Sequence, residues 1–170
     1  TTEDGGVADL LVLDLPTSAN AFQTESTDPA LPGRARTDAF VIKLDPQGVP
    51  LYSTYLSGGS YEEGRAIAAD SSGHAYVAGF TASSNFPTRA AFQPTKNASI
   101  DGFLVKLSPD GSRLVYSTFL GGDGSDVVDA VAVDADGAVY VAGATNWPLQ
   151  FPTQNALQGW SGGFDGFLAK

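Results

Sequence analysis

The sequence predicts an all-β fold built from repeated units of four antiparallel strands, and three observations carry that reading. The first is composition: 20 Gly and 10 Pro punctuate short apolar runs rich in Val, Ala, Tyr and Phe, which suits many short strands joined by tight turns. The second is a repeat. "AIAADSSGHAYVAGF" from Ala66 returns as "AVAVDADGAVYVAGA" from Ala130, 64 residues later. The third is its punctuation, since each copy places an Asp-x-x-Gly turn between two strand-like segments, where Gly closes a tight hairpin with φ > 0.

The repeat extends well beyond its clearest stretch. "DAFVIKLDPQG" at Asp38 returns as "DGFLVKLSPDG" at Asp101 and begins again as "DGFLAK" at Asp165, at spacings of 63 and 64 residues. "LYSTYLSGG" at Leu51 returns as "VYSTFLGGDG" at Val115, and "FPTRAAFQ" at Phe86 returns as "FPTQNALQ" at Phe151, with a weaker "LPTSANAFQ" at Leu15. Each unit reads as two hairpins. Arg65 to Asp70 pairs with His74 to Phe80 through "DSSG", and Ala39 to Leu44 pairs with Leu51 to Leu56 through "DPQG", where Pro46 fixes φ and Gly48 supplies the left-handed residue. Four short strands with apolar residues on both faces must stack on neighbours to bury them. Radial stacking gives a β-propeller and linear stacking a solenoid; the four-stranded hairpin blade favours the propeller.

Taken in order, residues 1–37 form a degenerate partial blade and linker, with a weak strand at Val7 to Leu13. Residues 38–64 form the outer hairpin of a first blade, 65–128 a complete second blade, and 129–170 a third blade lacking its outer strand. Three blades do not close a ring, so the chain is expected to be a portion of a longer propeller or a subunit completed by other chains.

The motifs "DAFVIKLDPQG", "YSTYLSGG", "AIAADSSGHAYVAGFTASSNFPT" and "AFQPT" together resemble the SBBP-type β-propeller repeat of bacterial proteins, over roughly Asp38 to Lys170. The hairpin also resembles the NHL-type blade. That resemblance implies that Ala66 to Asp70 and Ala130 to Asp134 are inner strands lining a channel, with the Tyr-Ser-Thr segments outermost. It implies an exported bacterial setting but does not itself imply an activity, since propellers host unrelated functions.

Composition narrows the function classes. A formal charge of -10 disfavours nucleic acid and anionic membranes, and no run approaches the ~18 apolar residues of a membrane span. With no Cys and no Met, thiol chemistry and Cys-based metal centres are excluded. The start "TTEDGG" is expected to follow processing or to interrupt a longer chain, and an acidic, Cys-free chain fits an extracellular or cell-surface protein.

Two sets of side chains are candidate sites. Glu62 and Glu63 in "GGSYEEG", and Asp123, Asp126 and Asp129 in "GGDGSDVVD", are read as acids of the loops that enter the inner strands. Gly-rich acidic loops supply the oxygens calcium prefers, although solvated loop acids are the commoner outcome. Trp147 and Trp160 have no counterpart in the middle copy and are candidates for stacking on carbohydrate, whereas Phe86 and Phe151 recur and read as packing. The turn acids Asp45, Asp70, Asp110, Asp134 and Asp136 read as backbone caps. His74, the only histidine, becomes Ala138 in the other copy and does not suggest catalysis. The resulting expectation is a non-enzymatic scaffold or adhesive module needing no cofactor, with protein partners or self-association. The alternatives are a filament or ring subunit joined by strand addition, and a carbohydrate-binding or carbohydrate-active propeller.

Overall fold

The computed structural model describes residues 15–27, 37–147 and 151–170; the weak strand expected at Val7 to Leu13 and most of the linker before Asp38 lie outside them. The described residues form nine antiparallel strands in three sheets of two, four and three strands, the architecture of successive propeller blades. The first sheet holds β1 (Ala39–Leu44) and β2 (Pro50–Leu56). The second, a whole blade, runs β3 (Glu62–Ala69), β4 (Ala75–Thr81), β5 (Asp101–Leu107) and β6 (Leu114–Leu120). The third has β7 (Asp126–Val133), β8 (Val139–Thr145) and β9 (Asp165–Ala169).

The hairpin turns follow from their residues. Gly48, Gly73, Gly111 and Gly137 all have φ between 69° and 84°. Asp45, Asp70 and Asp134 each accept two backbone N–H groups across the turn, Gln47 and Val49, Ser72 and His74, and Asp136 and Ala138 respectively, at 2.8–3.0 Å.

The inner strands begin three residues earlier than the apolar pattern suggests. Glu62 pairs with Thr81 and Asp126 with Thr145, before a register shift that makes Arg65 and Asp129 the extra residues of matching bulges. A bulge bends its strand and re-aims the side chain it adds. Here it brings Arg65 Nη1 to 4.0 Å from Asp129 Oδ1, between two adjacent inner strands. It also presses the Glu63 carbonyl against Gly79, where a Cβ would lie 1.9 Å from that oxygen, and the same holds for Gly143 and the Val127 carbonyl. The Gly of "YVAG" is therefore a steric requirement of the bulge.

The blades pack through two apolar seams. Between the first and second sheets lie Ala39, Val41, Tyr52 and Leu56 against Val77, Phe103, Val105, Leu107 and Phe119. Between the second and third lie Ala78, Leu104 and Leu120 against Val128, Val131, Val141 and Phe167. Phe86 stacks on Phe103 at 4.7 Å and Phe151 meets Phe167 at 4.8 Å, so the recurring phenylalanines are packing residues.

The segment after each Phe-Pro-Thr or Leu-Pro-Thr is a strap laid along the outer strand, and it explains the Tyr-Ser-Thr motif. Ser117 Oγ donates to Pro87 O (2.6 Å), Ser117 and Arg89 exchange backbone hydrogen bonds, and Thr118 Oγ1 accepts from Gln93 N (2.8 Å). Gln93 O then accepts from Phe119 N (3.1 Å). The first sheet repeats the arrangement: Ser53 Oγ donates to Pro16 O, Thr54 Oγ1 accepts from Gln23 N (3.0 Å), and Gln23 O accepts from Tyr55 N (3.1 Å). The weak copy at Leu15 is thus a true strap. In the third sheet the corresponding residues, 153–160, are exposed beside a β9 that has no strand on its far side among the described residues.

Candidate functional site

Each blade carries a row of polar residues at the heads of its strands. In the second sheet the row is Glu62, Thr81 and Asp101, joined by strand register; in the third it is Asp126, Thr145 and Asp165. Glu62 is buried and accepts from Gly58 N (2.9 Å), Thr81 Oγ1 (2.6 Å) and Ser83 Oγ. Burial pushes its carboxyl above the usual range while these donors pull it back. Asp101, also buried, accepts from Asn97 N, Ala98 N and Gln93 Nε2 at 2.9, 3.0 and 3.1 Å, and burial raises its pKa as well.

Asp126 occupies the place of Glu62 but is one methylene shorter. It accepts from Gly122 N (2.9 Å), while its Oδ1 and the Thr145 hydroxyl are both buried without a hydrogen bond of ordinary geometry to the described residues. Asp101 and Asp126 flank Gly121 across the second seam. Asp126 is accordingly raised in pKa, first by burial and further by the neighbouring Asp101 charge.

The acids read as loop residues are therefore distributed differently. Glu62 and Asp126 are buried strand heads, because strand pairing and the Gly58 and Gly122 N–H groups draw them in. Glu63 and Asp129 stand on the strands, where Glu63 accepts from Tyr61 Oη (2.5 Å) and pairs with Arg65 Nε (2.7 Å), while Asp129 faces Arg65. Only Asp123 lies in the loop, and it is exposed. The structure does not gather the five into one cluster. Among the described residues no group of three or more His, Asp or Glu side chains is placed to hold a metal ion.

The two tryptophans are brought together. Trp147 follows β8 and Trp160 precedes β9, and their rings meet edge to face with centroids 5.6 Å apart, each about half exposed. The acidic loop packs against them: a Cβ on Gly124 would lie 2.5 Å from Trp147 Cβ, and Ser125 N donates to Asn146 Oδ1 (2.6 Å).

His74 serves its turn, with Nδ1 3.0 Å from Asp70 Oδ2. Although burial opposes it, the His74 N–H, the Tyr76 hydroxyl and the His74 ring hold Asp70 at about 2. Lys106 sits 4.7 Å over the Tyr76 ring and 3.5 Å from Asp70, and Lys170 sits 5.1 Å over Tyr140. Lys43 instead reaches Pro109 O (3.1 Å), tying the first blade to the second.

Sequence reasoning missed Gln23, Gln93 and Asp101. Their signal was present in the recurring "AFQ" and in the Asp that opens each "DxF" strand, but the contacts that join Gln23 to Ser57 and Gln93 to Asp101 and Gly121 span 8 to 34 residues.

Comparison with known proteins agrees with this geometry: residues 51–87, which run from β2 through the first complete hairpin to the start of the strap, match the family model described as a beta-propeller repeat, SBBP. No curated protein matches the chain.

Proposed function

With the chain an SBBP-type β-propeller repeat protein, we propose that it is a non-enzymatic module, exported to the cell surface or beyond, that works as a scaffold and adhesive binding surface for protein partners. The observation that supports this reading most is the state of the two end blades. Phe40, Ile42 and Leu44 are 56%, 39% and 53% exposed, while Phe103, Val105 and Leu107 at the same positions of the next blade are fully buried against a neighbour. At the other end Leu168 is 77% exposed, whereas its counterpart Leu104 packs into the seam. Apolar surface patterned for a blade and left bare is a partner-binding surface. The repeated acids support the same reading, since Glu62 and Asp101 commit their carboxylates to hydrogen bonds that tie their own blade together.

A specific observation favours self-assembly as the form this takes. Among the described residues no strand pairs with the far edge of β9, which lies beside an exposed strap, and in both other blades the corresponding edge and strap hold a Tyr-Ser-Thr strand. A strand or a whole blade of a second copy fits there, and a head-to-tail contact of this kind generates rings or filaments. Light scattering across a concentration range tests the reading. The mass is expected to rise with concentration, and Ile42→Lys or Leu168→Lys is expected to suppress the rise. A monomer at every concentration, with no protein captured on either end, would refute it.

A further inference from the structure

The repeat supplies a control for each of its own positions, and one place departs from it on both sides at once. Two hydrogen-bonded landmarks align the third blade with the second. Thr145 pairs with Asp126 as Thr81 pairs with Glu62, and Asp165 accepts from Ser161 N (3.0 Å) as Asp101 accepts from Asn97 N. Trp147 therefore stands where Ser83 stands, and Trp160 where Lys96 stands.

In the second blade this place is closed by polar contacts. Ser83 Oγ donates to Glu62 and accepts from Ser60 N (2.8 Å), while Lys96 Nζ donates to Ala82 O (2.8 Å) and Ser99 O (2.7 Å). In the third blade both groups are exchanged for indoles that contact each other and remain half exposed. The exchange removes the hydroxyl that reaches the strand-head acid in the second blade, and Asp126 Oδ1 is among the buried atoms that make no hydrogen bond of ordinary geometry with the described residues. Losing a buried hydrogen bond costs stability, so the exchange carries a local penalty at the strand head.

We propose that Trp147 and Trp160 form a binding site for a neutral oligosaccharide. Indole faces are suited to the C–H faces of a pyranose ring. Beside Trp160 the Ser161 hydroxyl donates to Asp165 Oδ1 (2.7 Å) and keeps its oxygen as an acceptor for a sugar hydroxyl. The chain's charge of -10 selects against anionic glycans. Trp160 ends the exposed strap beside β9, but sugar binding to the two indoles does not require that edge to be occupied, so a sugar titration stands whether or not self-assembly is disproved.

The test is a titration of the full chain with cellohexaose, chitohexaose and mannohexaose, followed by tryptophan fluorescence and by calorimetry. At least one sugar is expected to give saturable heat with a fluorescence shift. Trp160→Ala should weaken that binding at least about tenfold, Trp160→Phe by no more than about threefold, and Phe92→Ala, an exposed aromatic on another blade, not at all. Circular dichroism of each variant establishes that it is folded, and the conservative Phe variant keeps the test decisive if the Ala variant is not. Absence of heat with all three sugars at millimolar concentration would overturn the proposal. So would undiminished binding in Trp160→Ala, or a sugar-independent fluorescence shift that tracks protein concentration and disappears in that variant, which would make the pair a protein contact.

Discussion

Gly79 fixes what one residue does for a blade. Its missing Cβ admits the Glu63 carbonyl at the bulge, and the bulge in turn points Arg65 toward Asp129. Gly79→Ala must shift backbone, and thermal or urea unfolding is expected to show a loss of about 2 kcal/mol or more. Asp126 gives a prediction in pH. Its folded pKa is raised by burial and by Asp101, so the native state favours its protonated form. That contribution is fully present below the unfolded value of about 3.9 and is lost as pH rises through the folded value. Asp126→Asn carries no charge at any pH and can offer its amide to Thr145 Oγ1. It should raise Tm at pH 7, with the gain shrinking toward pH 4 and below; an equal Tm change at both pH values would contradict this. Neither residue's role was legible locally. An acid in "GGDGSD" looks solvated, and what buries it is a threonine 19 residues along the chain.

At the scale of elements, the strands were legible because their signals are local: alternation, Asp-x-x-Gly turns and exact recurrence. β1 has the predicted bounds, and β2 differs only at its first residue. The straps were visible as recurrence but not as structure, since a strap has no periodicity and takes its hydrogen bonds from a strand up to 37 residues away. The strap account makes its own prediction. Thr118→Val removes the acceptor for Gln93 N and should cost about 1 to 2 kcal/mol. Hydrogen exchange should then quicken at Gln93 and Arg89 while the β4 amides stay protected; uniform acceleration across the blade would argue against a separable strap.

At the scale of the molecule, the repeat also determined where function could be sought. Positions that recur are accounted for by seams, bulges, turns and straps, while the tryptophans, which do not recur, meet in space. Their sequence spacing gave no hint of contact, because the loop and β9 set their approach. The two ends of the array follow the same logic. Each exposed face has a packed counterpart inside the chain, Phe103 for Phe40 and Leu104 for Leu168.

Whether the third blade holds a place for an outer strand can be measured by adding a peptide of residues 112–121, which contains β6, and following backbone hydrogen exchange. Saturable binding is expected, with new protection confined to β9 and the strap at 151–158. Absence of binding at millimolar peptide, or protection elsewhere on the chain, would contradict it.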